Sequence, residues 1–130
     1  MAIRGIHHLA IITADYPRAR AFYTTTLGFV VLSEHYRQAR DSWKLNLALP
    51  DGSQIELFSF PAPPLRPTRP EACGLRHLAL RTDDLDSDIA RLAAAGVPCE
   101  AVRVDEYTGQ RFTFLADPDG LPIELYEQVD

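Results

Sequence analysis

The sequence predicts an α+β fold built from two tandem βαβββ modules, and three observations predict it. The first is internal register. Ile6-His7-His8-Leu9-Ala10-Ile11 is echoed by Leu75-Arg76-His77-Leu78-Ala79-Leu80, which sets His8 and His77 69 residues apart. Asp15 and Asp84 keep the offset of 69, while Asp51 and Asp119, and Glu56 and Glu124, keep one of 68. Landmarks in such near-constant register mark a duplication. The second is the order of patterns in each copy: a strand-like stretch, a helically spaced stretch, then three more strand-like stretches. The third is size. A chain of 130 residues with 46% apolar side chains suits one domain whose core needs no staples.

Each element has a local reason. Residues 4–13 alternate around β-branched Ile and read as a strand. Asp15 is placed to cap a helix, and Pro17 falls where a first turn tolerates proline. Ala19, Phe22, Tyr23 and Leu27 follow helical spacing, and Gly28 closes the helix. Strands are expected over 29–37, 43–49 and 54–60, the last two joined by an Asp51-Gly52 turn. In the second copy, 75–82 is a strand. Asp84 caps a helix bearing Leu85, Ile89, Leu92 and Ala93 on one face, closed by Gly96. Strands follow near 98–104, 111–115 and 121–126, with Pro118-Asp119-Gly120 as the last turn. Residues 1–60 and 71–130 are therefore the modules. Between them, residues 61–70 hold five prolines and form a stiff connector.

Composition excludes several classes. The net charge is −5, Lys44 is the single lysine, and the arginines are scattered, so no nucleic-acid partner is expected. No apolar run approaches the ~18 residues of a membrane span. The start shows no signal peptide, and a cytoplasmic location is expected. Cys73 and Cys99 are too few for a disulfide framework or a four-cysteine zinc site, and are expected to be reduced, partly buried thiols.

The duplication puts one His on the first strand and one Glu on the last strand of each copy. His8, Glu56, His77 and Glu124 are metal ligands in type, suited to Zn, Ni, Fe or Mn. Alternation turns Ile55 and Leu57 away from Glu56, and a carboxylate on the inner face of a sheet needs a counter-charge. His7 and Arg76, adjacent to the ligand candidates, are expected on the opposite face. His35 has no counterpart in the second copy and reads as solvated or substrate-facing.

These residues resemble the vicinal oxygen chelate superfamily, which includes glyoxalase I (lactoylglutathione lyase). The likeness is carried by Ile6–Ile11, Phe22-Tyr23 with Leu27-Gly28-Phe29, Ile55-Glu56-Leu57, Gly74–Ala79, and Asp117–Gly120 leading to Ile123-Glu124-Leu125. It implies paired βαβββ modules whose curved mixed sheets form a cup around one divalent metal. The family's ligand positions fall on His8, Glu56, His77 and Glu124. The implied chemistry is proton transfer through a metal-stabilised enediolate, with Glu124 as base and Glu56 as ligand and second candidate base. The resemblance also implies a homodimer. One departure stands out. Glyoxalase I commonly holds glutathione with an Arg four residues after the first ligand His and an Asn four after the first ligand Glu. Here those positions are Ile12 and Phe60, which cannot replace such bonds.

Candidate substrate contacts are Arg37, Arg40, Lys44 and Arg111, on or beside the middle strands, where a carboxylate or phosphate would suit them. Trp43, Tyr107 and Phe112 are candidate pocket walls. The leading expectation is thus a metal-dependent lyase or isomerase acting on a small molecule. The same fold also serves epimerases of coenzyme A thioesters, extradiol-type dioxygenases and non-enzymatic antibiotic binders. A dioxygenase needs two His, one carboxylate and open iron positions, and binders typically need no metal quartet.

Overall fold

The computed structural model describes residues 1–129. The chain divides into two compact units, Met1–Leu65 and the part from Arg66 onward, with the boundary inside the proline-rich connector. Each unit holds one four-stranded mixed sheet and few helices, the α+β arrangement expected. Among the described residues, no helix is long and apolar enough to cross a membrane.

Unit 1 contains β1 (His8–Thr13), α1 (Tyr16–Ala21), β2 (Val30–Arg37), β3 (Ser42–Ala48) and β4 (Gln54–Ser59). The sheet order is β1-β4-β3-β2, with β1 parallel to β4 and the other neighbours antiparallel. Strand alternation drives Leu45, Leu47, Ile55 and Leu57 into the core, where none is more than 2% exposed. Ala19, Phe22 and Tyr23 are buried too. The Asp15 side chain accepts a hydrogen bond from the Arg18 N–H, as an N-cap should.

The helix expected to run as far as Leu27 changes character. After α1, residues Phe22–Thr26 form a π-helical turn. Thr24, Thr25 and Thr26 are β-branched and poor helix formers. Thr24 Oγ1 also donates to the Arg20 carbonyl at 2.7 Å, competing with the regular ladder. Gly28 then reverses the chain at φ +78°, a conformation that a side chain would strain.

Unit 2 contains β5 (Leu78–Thr82), α2 (Leu85–Ala94), β6 (Arg103–Val104), β7 (Arg111–Ala116) and β8 (Pro122–Glu127), in the order β5-β8-β7-β6. Its sheet repeats the first, with β5 parallel to β8. Leu85 and Leu92 of α2 are buried, as are Leu115, Ile123 and Leu125 of the sheet. The cap also repeats, with Asp84 accepting from the Ser87 N–H.

Three strands are shorter than expected; β5, expected over 75–82, begins at Leu78, opposite Ile123 of β8, and leaves His77 just outside it. β1 begins at His8, because its partner strand β4 begins at Gln54 and leaves residues 4–7 nothing to pair with. β6 keeps only Arg103 and Val104 in its ladder. Upstream of it, Pro98 has no N–H to donate, and the Glu100 N–H reaches the Phe114 carbonyl outside the ladder. Both cysteines are free; Cys73 is exposed rather than partly buried, and Cys99 is half-buried with its thiol pKa pushed up by desolvation and then by Asp88.

Glu34 on β2 ties the sheet to α1. It accepts from Arg20 Nε at 2.9 Å and from the Tyr16 hydroxyl. The Arg20 bond, and then the Tyr16 bond, hold its carboxyl below the ordinary value of 4.5. A lowered folded-state pKa stabilises the fold above the unfolded value, and this contribution is lost as pH falls through the folded one. Glu34→Gln should therefore be destabilising near neutral pH. The deficit relative to the natural chain should shrink below about pH 4 in denaturant titrations at stepped pH.

Candidate metal and substrate site

β4 presents Glu56 between two core residues, Ile55 and Leu57, so its side chain takes the opposite face of the sheet. Its cross-strand neighbours are Ala10 and Asn46. His8 lies two residues before Ala10 and shares that face. The result is an imidazole–carboxylate pair, with His8 Nε2 at 3.6 Å from Glu56 Oε2. Lys44 Nζ lies 3.8 Å from the other carboxylate oxygen, Oε1, while Asn46 Nδ2 donates to Oε2 at 3.5 Å.

Unit 2 builds the same pair. Ile123 and Leu125 anchor β8 in the core and leave Glu124 facing Ala79 and Phe114. His77 Nε2 stands 3.9 Å from Glu124 Oε1. The His77 ring meets the Phe114 ring edge-on, with centroids 5.1 Å apart. Among the described residues no hydrogen-bond donor reaches Glu124, although its side chain is only 15% exposed.

Both pairs fit a shared cation better than a direct bond. Separations of 3.6 and 3.9 Å exceed a hydrogen bond. Two ligand atoms each ~2.0–2.2 Å from one ion stand about 3.0–3.5 Å apart, so a small side-chain adjustment suffices. The donor set is imidazole nitrogen with carboxylate oxygen, and Glu124, only 15% exposed and without a donor among the described residues, calls for positive charge. Among the described residues no three His, Cys, Asp or Glu side chains form one cluster. Each unit brings together one ligand pair.

His7 departs from its expected place. Its Nδ1 lies 2.9 Å from His8 Nδ1, with the two rings edge to face. It precedes the first paired residue of β1, so strand alternation does not constrain it. When His8 donates from Nδ1 in this bond, its Nε2 lone pair is free toward Glu56, the tautomer that ligation requires.

The candidate substrate contacts separate into two groups. Lys44 stands beside Glu56, and Arg37 and Arg40 lie further along the same face. The Arg37 guanidinium lies over Phe58 and Phe60 at 4.9 and 5.7 Å, Arg40 over Phe60 at 5.4 Å, and Lys44 over Phe58 at 5.9 Å. Arg37 Nη2 donates to Ser42 Oγ at 2.8 Å. Arg111 is elsewhere. It donates to Glu127 at 2.6 Å and to Asp86 at 3.1 Å, and these two carboxylates, Glu127 first, raise its pKa. The reason is strand parity. Phe114 pairs with Glu124, so even-numbered β7 residues share the glutamate's face and Arg111 takes the α2 side.

The expected walls also divide. Phe112 lies on the Glu124 face, stacked on Tyr126. Trp43 takes the helix side, stacked on Tyr16 at 5.4 Å, and Tyr107 is 88% exposed in a loop. His35 is exposed and pairs across the sheet with Lys44. Asp41 and Asp105 accept from the Tyr36 and Tyr126 hydroxyls. Arg103 and Arg66 were not singled out from sequence. Arg103 lies over Phe112 and Phe114 at 5.0 and 5.6 Å. Its even-numbered partner Phe112 was a usable signal, whereas Arg66 in the connector carried none.

Tandem βαβββ modules, each with a His at or just before the start of its first strand and a Glu on its last, define a recognisable class, and comparison with known proteins agrees. Residues 5–125 match the Glyoxalase/Bleomycin resistance protein/Dioxygenase superfamily, and the chain belongs to it. It is 59% identical to the protein YaeR of Escherichia coli (strain K12), described as uncharacterised, over 98% of this chain and 99% of that one. It is 54% identical to YwkD of Bacillus subtilis (strain 168), also described as uncharacterised, over 98% and 100%. A glyoxalase family protein from Enterococcus faecalis superposes with a TM-score of 0.91 at 43% identity, covering 98% of this chain and all of that one.

Proposed function

We propose that this protein is a metal-dependent lyase or isomerase of the glyoxalase I type, moving a proton between adjacent carbons of a small carbonyl compound. His8, Glu56, His77 and Glu124 hold one divalent ion, drawn from Ni, Zn, Fe and Mn. The observation that carries this reading is the repetition in both units of a largely buried carboxylate beside an imidazole, at a spacing too long for a hydrogen bond. Such an ion supplies Lewis-acid polarisation of a carbonyl oxygen. The chain's own groups do the rest. Glu124 accepts the proton at one carbon and returns it at the next. Glu56 neutralises the ion and is the second candidate base. Arg37, Arg40 and Lys44 orient an acidic substrate, while Phe58 screens the pair in unit 1 and Phe114 the pair in unit 2 from water. Arg111, held by two carboxylates, has a structural role instead.

Ile12 and Phe60 stand where glyoxalase I holds glutathione, which favours a smaller acidic substrate over a glutathione adduct. The test is to load the protein with Ni and with Zn. Solvent-deuterium incorporation is then followed by NMR for the methylglyoxal–glutathione thiohemiacetal and for a panel of small hydroxy- and keto-acids. Metal-dependent exchange in the panel is the expected result. Metal-loaded protein that exchanges no proton in any compound would contradict the proposal.

The same reading carries a cytoplasmic homodimer. Val30, Val31 and Leu32 on the edge strand β2 are exposed apolar residues of the kind an association surface uses. Light scattering should return a dimer mass, and a monomer at micromolar concentration would refute this part.

A further inference from the structure

We propose that unit 2 carries a docking pocket for an oxyanion, a carboxylate or phosphate group on the substrate, gripped by Arg66 and Arg103. This deepens the functional reading above and rests on it only for the chemistry that follows docking. A cavity of about 940 Å³ opens beside His77, at the upper end of small-molecule sites. Four arginines line it, Arg66, Arg69, Arg76 and Arg103, against two glutamates, Glu71 and Glu100. Its walls are thus net positive in a chain whose net charge is −5. That contrast concentrates anions locally.

Arg66 is fixed in place without being neutralised. Its Nη2 donates to the carbonyls of Leu75 and Arg76 at 2.8 and 3.0 Å. Its Nε is buried and has no hydrogen-bond partner among the described residues. A buried donor left unmade is costly, and a small shift of the side chain toward the cavity would bring it to a ligand oxygen. No carboxylate among the described residues pairs with this guanidinium, so its charge is available.

Arg103 places the second grip next to the candidate metal ligand. Its guanidinium lies over Phe112 and Phe114, and Phe114 in turn abuts His77. Its acidic neighbour Glu100, at 3.3 Å, is more than half exposed, and such surface pairs hold weakly. An anion accepting from both arginines would sit on the platform that carries His77. Arginine suits this task because its planar fork matches two oxygens at once.

The test uses the full-length protein, metal-free and metal-loaded, in low-salt calorimetric titrations with inorganic phosphate and with malonate. Saturable binding of at least one probe is expected, and the tighter one tells phosphate from carboxylate recognition. Arg103→Met and Arg66→Met should each weaken it about tenfold or more. Arg91→Met, on the exposed side of α2, should leave it unchanged. Because Arg66 also ties down two carbonyls, the largely exposed Arg103 provides the variant that spares the fold. Binding undiminished in both variants, or no saturable binding of either probe, would overturn the pocket. Bound metal in each sample is measured in parallel. A protein that binds anion but no metal sinks the metal reading alone, and one that binds metal but no anion sinks the pocket alone.

Discussion

Glu124→Gln should lower kcat by about a hundred- to ten-thousand-fold, the usual worth of a positioned general base. The amide keeps the volume of the carboxylate and the anchorage of Ile123 and Leu125, but has no basicity. Because the site also loses a ligand charge, bound metal should be weakened as well. Turnover is therefore compared at saturating metal, so that the missing base is read apart from the missing ion. The fold should not suffer. Glu124 is only 15% exposed and receives no hydrogen bond among the described residues, so in metal-free protein the neutral amide removes a desolvation cost. The thermal midpoint of the metal-free variant should match or exceed that of the natural chain. An active Glu124→Gln enzyme would move the base to Glu56 or dismantle the mechanism.

Leu57→Ala should lower the unfolding free energy by about 2–5 kcal/mol. Leu57 is fully buried on β4, between Ile11 of β1 and Leu45 of β3. Truncation removes its transfer free energy and leaves a void that three paired strands cannot close. For a chain of this size that shift is roughly 10 °C in Tm. Glu56 is its immediate neighbour on the strand, so loosening here should also weaken metal retention. Urea titration monitored by Trp43 fluorescence reads the stability, and a loss below about 1 kcal/mol would mean that the β4 core is not packed as described.

Much of this architecture was legible in the residues because duplication doubles each signal. A lone Asp before a helix is weak evidence. Asp15 and Asp84 at one offset are stronger, and both cap as expected. The candidate ligands were legible for the same reason, through His8 with Glu56 and His77 with Glu124. What failed was local. The π turn at Phe22–Thr26 depends on threonine hydroxyls competing for backbone carbonyls, which periodicity does not register. Arg111 was grouped with Arg37, Arg40 and Lys44 for lying on or beside the middle strands, whereas the parity of Phe114 against Glu124 assigns it to the other face. His7 was turned away by an alternation rule that has no force before the first paired residue. Arg66 was invisible because its position depends on carbonyls nine and ten residues downstream.

The central claim is that two imidazole–carboxylate pairs hold one cation, and metal stoichiometry tests it most directly. The natural chain, His8→Ala and His77→Ala are each loaded with Zn or Ni, desalted, and assayed by elemental analysis and competitive chelator titration. The account predicts about one tightly held ion per chain, with affinity reduced at least ~100-fold by either substitution. A natural chain that retains no ion, or one whose affinity is untouched by both His8→Ala and His77→Ala, would contradict it.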